Sequence, residues 1–350
     1  MLKHPEWRGQ VQKRALGSQG LQVSALGYGA MVLVHGMYGA SQEEDALATL
    51  LHVLDRGVDF IDTADAYGTD GGNERLVGRA VAGRRDEVAI ATKWGIAGAR
   101  SATTSQVTAA YANTVLVDAR PELARPALEA SLRRLGVDMV DLWYLHFPDP
   151  AVPIAETVGA MAALVRDGLV RHIGVCNVTA EHLRAAHAEH PISAVQSEWS
   201  LWTRDVEAEV VPAANELGIG VVPWGPLGNG FLAGSADSIG GADLDFRNNA
   251  PRFQEENLRR NVDRFAPLRQ FAAERGISQA QLALAWLLRQ GENVVPIPGS
   301  RRVAHVDDNL GALDVLLTKE DLDELGQLAH QGLAAGPSML GVQAEAPTII

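Results

Sequence analysis

The sequence predicts an α/β protein, a closed (β/α)8 TIM barrel with an N-terminal β-hairpin and long loops at its C-terminal face, and three observations predict it. Short apolar runs alternate with amphipathic stretches along most of the 350 residues, which is the rhythm of parallel strands joined by helical crossovers. Eight such runs occur, the number that closes a barrel. No Gly-x-Gly-x-x-Gly follows the first strand run to favour an open, doubly wound sheet.

After a polar leader at 1–10, residues 11–23 read as a hairpin turning at Ser18-Gln19-Gly20. Strands are expected at 25–29, 58–62, 88–92, 139–145, 170–175, 194–197, 220–223 and 294–297. Helices are expected at 43–56, 74–81, 121–135, 154–167, 180–189, 206–217, 279–290 and 303–310. Thr179 supplies a hydroxyl cap for the helix starting at Ala180, and Gly136 stops the helix before Val137. Two stretches break the rhythm, 95–118 and 227–257; both follow strands, so both belong to the carboxyl face, where long loops are functional or mobile. The tail at 332–350 has no period and reads as disordered or as a flap. No linker-like shift in composition divides the chain, so 1–350 reads as a single domain.

With 47% hydrophobic residues the chain can bury a sizeable core. Its formal charge of -13 leaves no Lys/Arg excess for phosphates, which argues against a nucleic-acid or anionic-membrane partner. The one cysteine, Cys176, excludes an internal disulfide and a multi-thiolate metal site, and no metal is expected. The start of the chain lacks the apolar core of a signal peptide and no run is long enough to cross a bilayer, so a cytoplasmic location is expected.

Four polar residues stand at or beside strand ends: Asp62, Tyr67, Lys93 and His146. A parallel barrel gathers the carboxyl ends of its strands on one face, so these residues meet although 67, 93 and 146 are far apart in sequence. A phenol is a poor acid at neutral pH, with a pKa near ~10, unless a cation favours its phenolate. Lys93 is placed to be that cation, and Asp62 to keep it charged when it is desolvated. His146 adds a group that hydrogen-bonds a carbonyl oxygen. Such a site has no nucleophile of its own, so a hydride from a reduced nicotinamide fits.

The motifs around these residues carry a resemblance. The stretch Gly57-Val58-Asp59-Phe60-Ile61-Asp62-Thr63-Ala64-Asp65-Ala66-Tyr67-Gly68, together with Ala91-Thr92-Lys93, Leu132-Arg133-Arg134-Leu135-Gly136, Ile173-Gly174-Val175-Cys176-Asn177 and Ile297-Pro298-Gly299-Ser300, resembles the aldo-keto reductases. The likeness runs from about Leu21 to about Leu328 and is closest to the bacterial and plant branch with Pro251-Arg252-Phe253-Gln254 and an Ile-Pro-Gly-Ser-Arg segment ending at Arg301. It implies that Asp62, Tyr67, Lys93 and His146 form a catalytic tetrad and that NADPH lies across the barrel mouth. Asn177 and Gln196 would then hold the nicotinamide carboxamide beside Cys176, and Trp224 would stack on the ring. Gly225, Pro226, Leu227, Gly228 and Gly230 would cover the pyrophosphate. Ser300, Arg301, His305, Asp308 and Asn309 would grip the adenosine end, with the Arg301 fork suited to a 2'-phosphate. Gly29, Ala30, Met31, Ile297 and Gly299 would line the cofactor. Gly299 and His305 stand where many members carry lysine and arginine, so NADH is a second candidate.

The resemblance implies reduction of a small-molecule aldehyde or ketone, with a keto-sugar or other secondary-metabolite intermediate as one alternative. Another is a cofactor-binding regulatory subunit like the potassium-channel β subunits. The substrate pocket is assigned to Tyr67, Trp94, His146 and Phe147. Trp199 and Trp202 fit pocket or packing equally. Asp65 reads as structural, Arg133 and Arg134 as a solvated helix face. Monomer and homo-oligomer are both open.

Overall fold

The protein is described here from a computed structural model, covering residues 9–108, 114–234, 243 and 245–338. β1 (Lys13–Ala15) and β2 (Gln22–Ser24) pair antiparallel as the expected hairpin. Their apolar side chains Leu16, Leu21 and Val23 do not cap a surface. They pack into the amino end of the barrel with Phe60, Ala89, Leu142, Ala194 and Val222, closing its floor.

The wall follows in chain order: β3 (Tyr28–Gly29), α1 (Glu43–Asp55), β4 (Phe60–Asp62), α2 (Gly72–Val81), β5 (Ala89–Trp94) and, in the long loop after it, the hairpin β6 (Ser105–Thr108) and β7 (Thr114–Val117). Next come α3 (Pro121–Leu135), β8 (Val140–Leu145), α4 (Ile154–Arg166), β9 (Val170–Cys176), α5 (Ala180–Glu189), β10 (Ala194–Glu198), α6 (Val210–Leu217) and β11 (Gly220–Trp224). The chain ends with α7 (Glu255–Arg264), α8 (Ala266–Glu274), α9 (Gln279–Leu288), α10 (Val303–Leu310) and α11 (Lys319–Leu328).

Among the described residues the strands β3-β4-β5-β8-β9-β10-β11 form one seven-stranded sheet, parallel at every pairing. The eighth stave expected at 294–297 is in place without being a regular strand. On one side the Val295 and Ile297 amides donate to Val221 O and Pro223 O, at 2.9 and 3.2 Å. On the other side the Gly27 amide reaches Pro296 O at 2.9 Å and the Gly29 amide reaches Pro298 O. Pro296 and Pro298 have no N–H to return, so that edge only accepts, and the barrel closes through half a ladder.

Side chains alternate across the wall as the strand period requires. Ile61, Ile90, Trp143, Ile173 and Val195 face the helices, and their neighbours in sequence face the axis. Gly174 has no side chain because a Cβ there would lie 2.5 Å from the Tyr144 ring, which fills the axis at that level.

Local chemistry sets the helix ends. Thr179 accepts from the His182 amide and Gly136 closes α3 at φ 67°, both as expected. α11 starts with a full capping box between Thr318 and Asp321. Among the described residues no helix is long and apolar enough to cross a membrane, and no cluster of three His, Cys, Asp or Glu is placed to hold a metal ion.

Candidate active site

The carboxyl ends of β4, β5 and β8 bring the four predicted residues together. Lys93, fully buried, pairs with Asp62 through Nζ and Oδ1, and Nζ also donates to Thr63 O at 2.9 Å and to Tyr67 Oη at 3.2 Å. The other Asp62 oxygen accepts from Gln196 Nε2 at 2.8 Å, so both are occupied. The Tyr67 and His146 rings face edge to face with centroids 5.8 Å apart. His146 is held by its own amide, which donates to Trp94 O at 2.9 Å, and by Asn177 Nδ2, which donates to His146 O at 3.1 Å. Asn177 reaches it from a left-handed backbone, φ 55°, a conformation asparagine tolerates.

Electrostatics follow from burial. Desolvation alone would strip Lys93 of its proton, but the Asp62 carboxylate and the Tyr67 oxygen outweigh it and hold the ammonium charged far above the ordinary range. The Tyr67 phenol is pushed up by burial and pulled down by Lys93, and burial wins. Lys93 therefore acts on Tyr67 in the expected direction without making it a strong acid in the resting site. His146 is pushed well down by burial and then by Lys93, so its imidazole is neutral.

Behind the site lies a polar layer. Glu74, fully buried in the first turn of α2, accepts from Thr92 Oγ1 at 2.6 Å and pairs with Arg134 from the last turn of α3. Arg134 is therefore half-buried and structural, not part of a solvated face; Arg133 alone is exposed. Asp65 sits beside this pair. Burial first and Glu74 second push its carboxyl from 3.8 up to about 7, while Arg134, the Ala66 amide and Lys93 oppose them.

Between those two values the folded chain holds a proton that the unfolded chain has lost, so Asp65 costs stability as pH rises toward about 7. Asp65→Asn removes that slope. Its Tm lead over the unchanged chain is expected to grow by about 3 °C or more between about pH 5 and about pH 8, read by scanning fluorimetry. A constant lead would mean that Asp65 is ionised throughout that range.

The family model described as "Aldo/keto reductase family" matches residues 25–330. The chain belongs to that family. A soybean (Glycine max) protein named "Probable aldo-keto reductase 1" is 42% identical over 328 residues, 93% of this chain and 91% of the relative. Among solved structures, a glycerol dehydrogenase from Gluconobacter oxydans is 29% identical with a TM-score of 0.75, covering 90% of this chain and 94% of that one. An aldo/keto reductase from Klebsiella pneumoniae, solved with NADP and acetate, is 27% identical with a TM-score of 0.70, covering 95% and 100%. The protein is thus an oxidoreductase with a (β/α)8 barrel.

The mouth of this aldo/keto reductase is built from the remaining predicted residues, with corrections. Trp224 is half-buried and its indole N–H donates to Asn177 Oδ1 at 3.1 Å. The turn after β11 has left-handed residues at Gly225, Gly228, Asn229 and Gly230, which bend it with Pro226 and Leu227 over the barrel rim. That turn is tied to the loop after β3 by Tyr38 Oη, which donates to Asn229 Oδ1 at 3.0 Å, and to the later part of its own loop by Arg247 Nη1, which donates to Asn229 O at 3.1 Å. Gly29 ends β3 against Ile297, and Ala30 and Met31 follow it in a short 3-10 turn. At Gly299 a Cβ would lie 2.8 Å from Gly29 O and 2.6 Å from Val32, so close backbone contact takes the space a lysine would need. At α10, Ser300 Oγ caps the Arg302 amide, Arg301 and His305 are exposed, and Asn309 is buried. The Asp308 carboxylate accepts from Ser278 Oγ and Gln281 Nε2 at 2.8 and 3.0 Å, which ties α10 to the start of α9.

Trp94 leaves the expected pocket, and Trp199 and Trp202, for which pocket and packing were both open, are packing. Trp94 is 1% exposed and stacks on Trp143 against the helices, because Lys93 before it points to the axis. Trp199 packs on Trp286, and Trp202 packs between Phe231 and Phe253, so both are core. Cys176 faces the barrel axis among the buried residues there, and burial pushes its thiol far up. Phe147 is stacked on His146 and nearly buried. A concavity of about 1240 Å3 opens at the opposite end of the barrel, near Gly20, Arg85, Gly136 and His172. It contains none of the tetrad.

The tail is less loose than the sequence suggests. Arg264 Nη1 donates to Leu333 O, Asn261 exchanges two bonds with Ala335, and Arg252 Nε donates to Gly336 O, at 2.7 to 3.1 Å. Residues 339–350, like the leader at 1–8, lie outside the described residues.

Proposed function

We propose that this chain reduces an aldehyde or ketone to an alcohol, with NADPH as the hydride source and Tyr67 as the proton donor. The observation that carries the reading is the phenol of Tyr67, 3.2 Å from a buried ammonium and edge to face with a neutral imidazole. The K. pneumoniae relatives solved with NADP and with NADPH support the choice of cofactor.

The residues present fit such a cofactor. The first turn of α10 carries no side-chain cap and no acid, and Arg301, Arg302 and His305 surround it, which suits the phosphate of an NADPH adenosine. Trp224 offers an aromatic face at the rim above Gln196. When bound, the reduced nicotinamide supplies a hydride. The chain's own residues do the rest. His146 donates a hydrogen bond to the carbonyl oxygen and holds it against Tyr67. Tyr67 gives its proton as the oxygen becomes alkoxide, and the phenolate left behind forms beside Lys93. There the fixed charge is stronger than in water, which lowers the barrier. Asp62 keeps Lys93 charged through the cycle.

Incubation with NADPH and a panel of aldehydes and ketones tests the reading by loss of NADPH absorbance. Absence of turnover with every member would defeat it. Arg301→Ala is expected to weaken NADPH about tenfold and NADH by about threefold at most, read as dissociation constants from protein fluorescence. Equal loss for both cofactors would remove Arg301 as the reader of the phosphate.

A further inference from the structure

Asn73 lies in the first turn of α2 and is buried behind the tetrad. Its backbone N–H donates to Tyr67 O at 3.2 Å. Its side-chain Oδ1 accepts from Thr63 Oγ1 at 2.7 Å, and its Nδ2 donates to Ala30 O at 2.9 Å. Thr63 in turn presents the carbonyl that receives Lys93 Nζ at 2.9 Å. One residue thus spans the end of β3, the segment that anchors Lys93 and the turn that carries Tyr67.

Starting α2 does not require this arrangement. A helix N-terminus needs its amides met, and the Asn73 amide is met by Tyr67 O. The carboxamide is engaged instead with the backbone and hydroxyl groups around the site. Gly68, Asp70 and Gly71 all have positive φ, and Tyr67 just before them is tied locally by its own amide, which donates to Ala64 O at 3.2 Å, so the Asn73 amide on Tyr67 O is a second tie, from the helix side.

We propose that Asn73 is a positioning residue: it sets the reach between Lys93 Nζ and Tyr67 Oη by fixing, from one side chain and one amide, the Thr63 segment and the Tyr67 turn. The proposal rests on Tyr67 as proton donor. Lys93 is the group that draws the phenol down, so a longer Lys93–Tyr67 reach makes Tyr67 a weaker acid while leaving the cofactor's own contacts in place.

The test compares Asn73→Ala, Thr63→Val and the double variant with the unchanged chain. Each single variant is expected to lose about 10- to 100-fold in kcat and to keep its NADPH dissociation constant within about threefold. The Tyr67 phenol, titrated by ultraviolet absorbance as the difference from Tyr67→Phe in the same background, is expected to move up by about half a unit or more. Because both substitutions cut the same bond, the double variant is expected to be no slower than the slower single one. The proposal is overturned by kcat within about twofold of the unchanged chain in both singles, by an unmoved phenol titration, or by a double loss equal to the product of the singles. A purely structural role would lower Tm and leave the phenol where it is. If Asn73→Ala does not fold, the nearly isosteric Thr63→Val decides on the same readouts. A chain inactive on every carbonyl would defeat the reading of Tyr67 as donor, whereas the phenol titration needs no turnover and still decides for Asn73.

Discussion

Tyr67→Phe is expected to bind NADPH with unchanged affinity and to lose about 10²- to 10⁴-fold in kcat, the range set by removal of a general acid. The variant deletes one oxygen. Its ring keeps the edge contact with His146, and Lys93 keeps Asp62 and Thr63 O, so the buried ammonium is not orphaned. The loss therefore belongs in the chemical step and not in folding or cofactor binding. A fall in kcat and kcat/KM by the same factor, with Tm within about 2 °C of the unchanged chain, would locate it there. Rates close to those of the unchanged chain would mean that His146 or water supplies the proton and would end the role given to Tyr67.

The sequence carried the site further than it carried the scaffold around it. Asp62, Lys93 and His146 were legible because each follows an apolar run of strand length, and in a parallel barrel strand ends converge on one face. The same period also contained the correction for Trp94: once Lys93 points to the axis, the next residue must point to the helices. The eighth stave was legible in place but not in form, since two prolines remove the donors that would make it a regular strand. α7 was hidden because Glu255–Arg264 carries only two apolar residues, Leu258 and Val262, one turn apart beside the buried Asn261, too narrow a stripe to mark a helix. The start of α11 was open to inspection in Thr318-Lys319-Glu320-Asp321, a capping signature at the right spacing. The roles of Arg134 and Asn73 were not legible. A charged residue in the last turn of a helix reads as solvated, and only its partner Glu74, 60 residues away, turns it inward. Asn73 looks like a helix-start residue until the fold brings Ala30 and Thr63 to its side chain.

Lys93→Met is expected to abolish measurable reduction and to cost about 3–5 kcal/mol of stability, the penalty for leaving one member of a buried ion pair alone. Methionine keeps the length of the stem and removes only the charge, so the cavity left behind is small. The cost falls on Asp62, which is 2% exposed and would retain only the Gln196 donor. That identifies the remedy. Asp62→Asn in the same chain neutralises the stranded carboxylate, keeps an oxygen for Gln196, and is expected to return most of the lost stability. It restores no activity, because nothing then favours the phenolate of Tyr67. Urea unfolding of the two singles and the double, beside kcat for each, separates the two effects. A double variant no more stable than Lys93→Met would show that the pair is not coupled. Activity returning with stability would show that Lys93 serves the barrel and not the phenol.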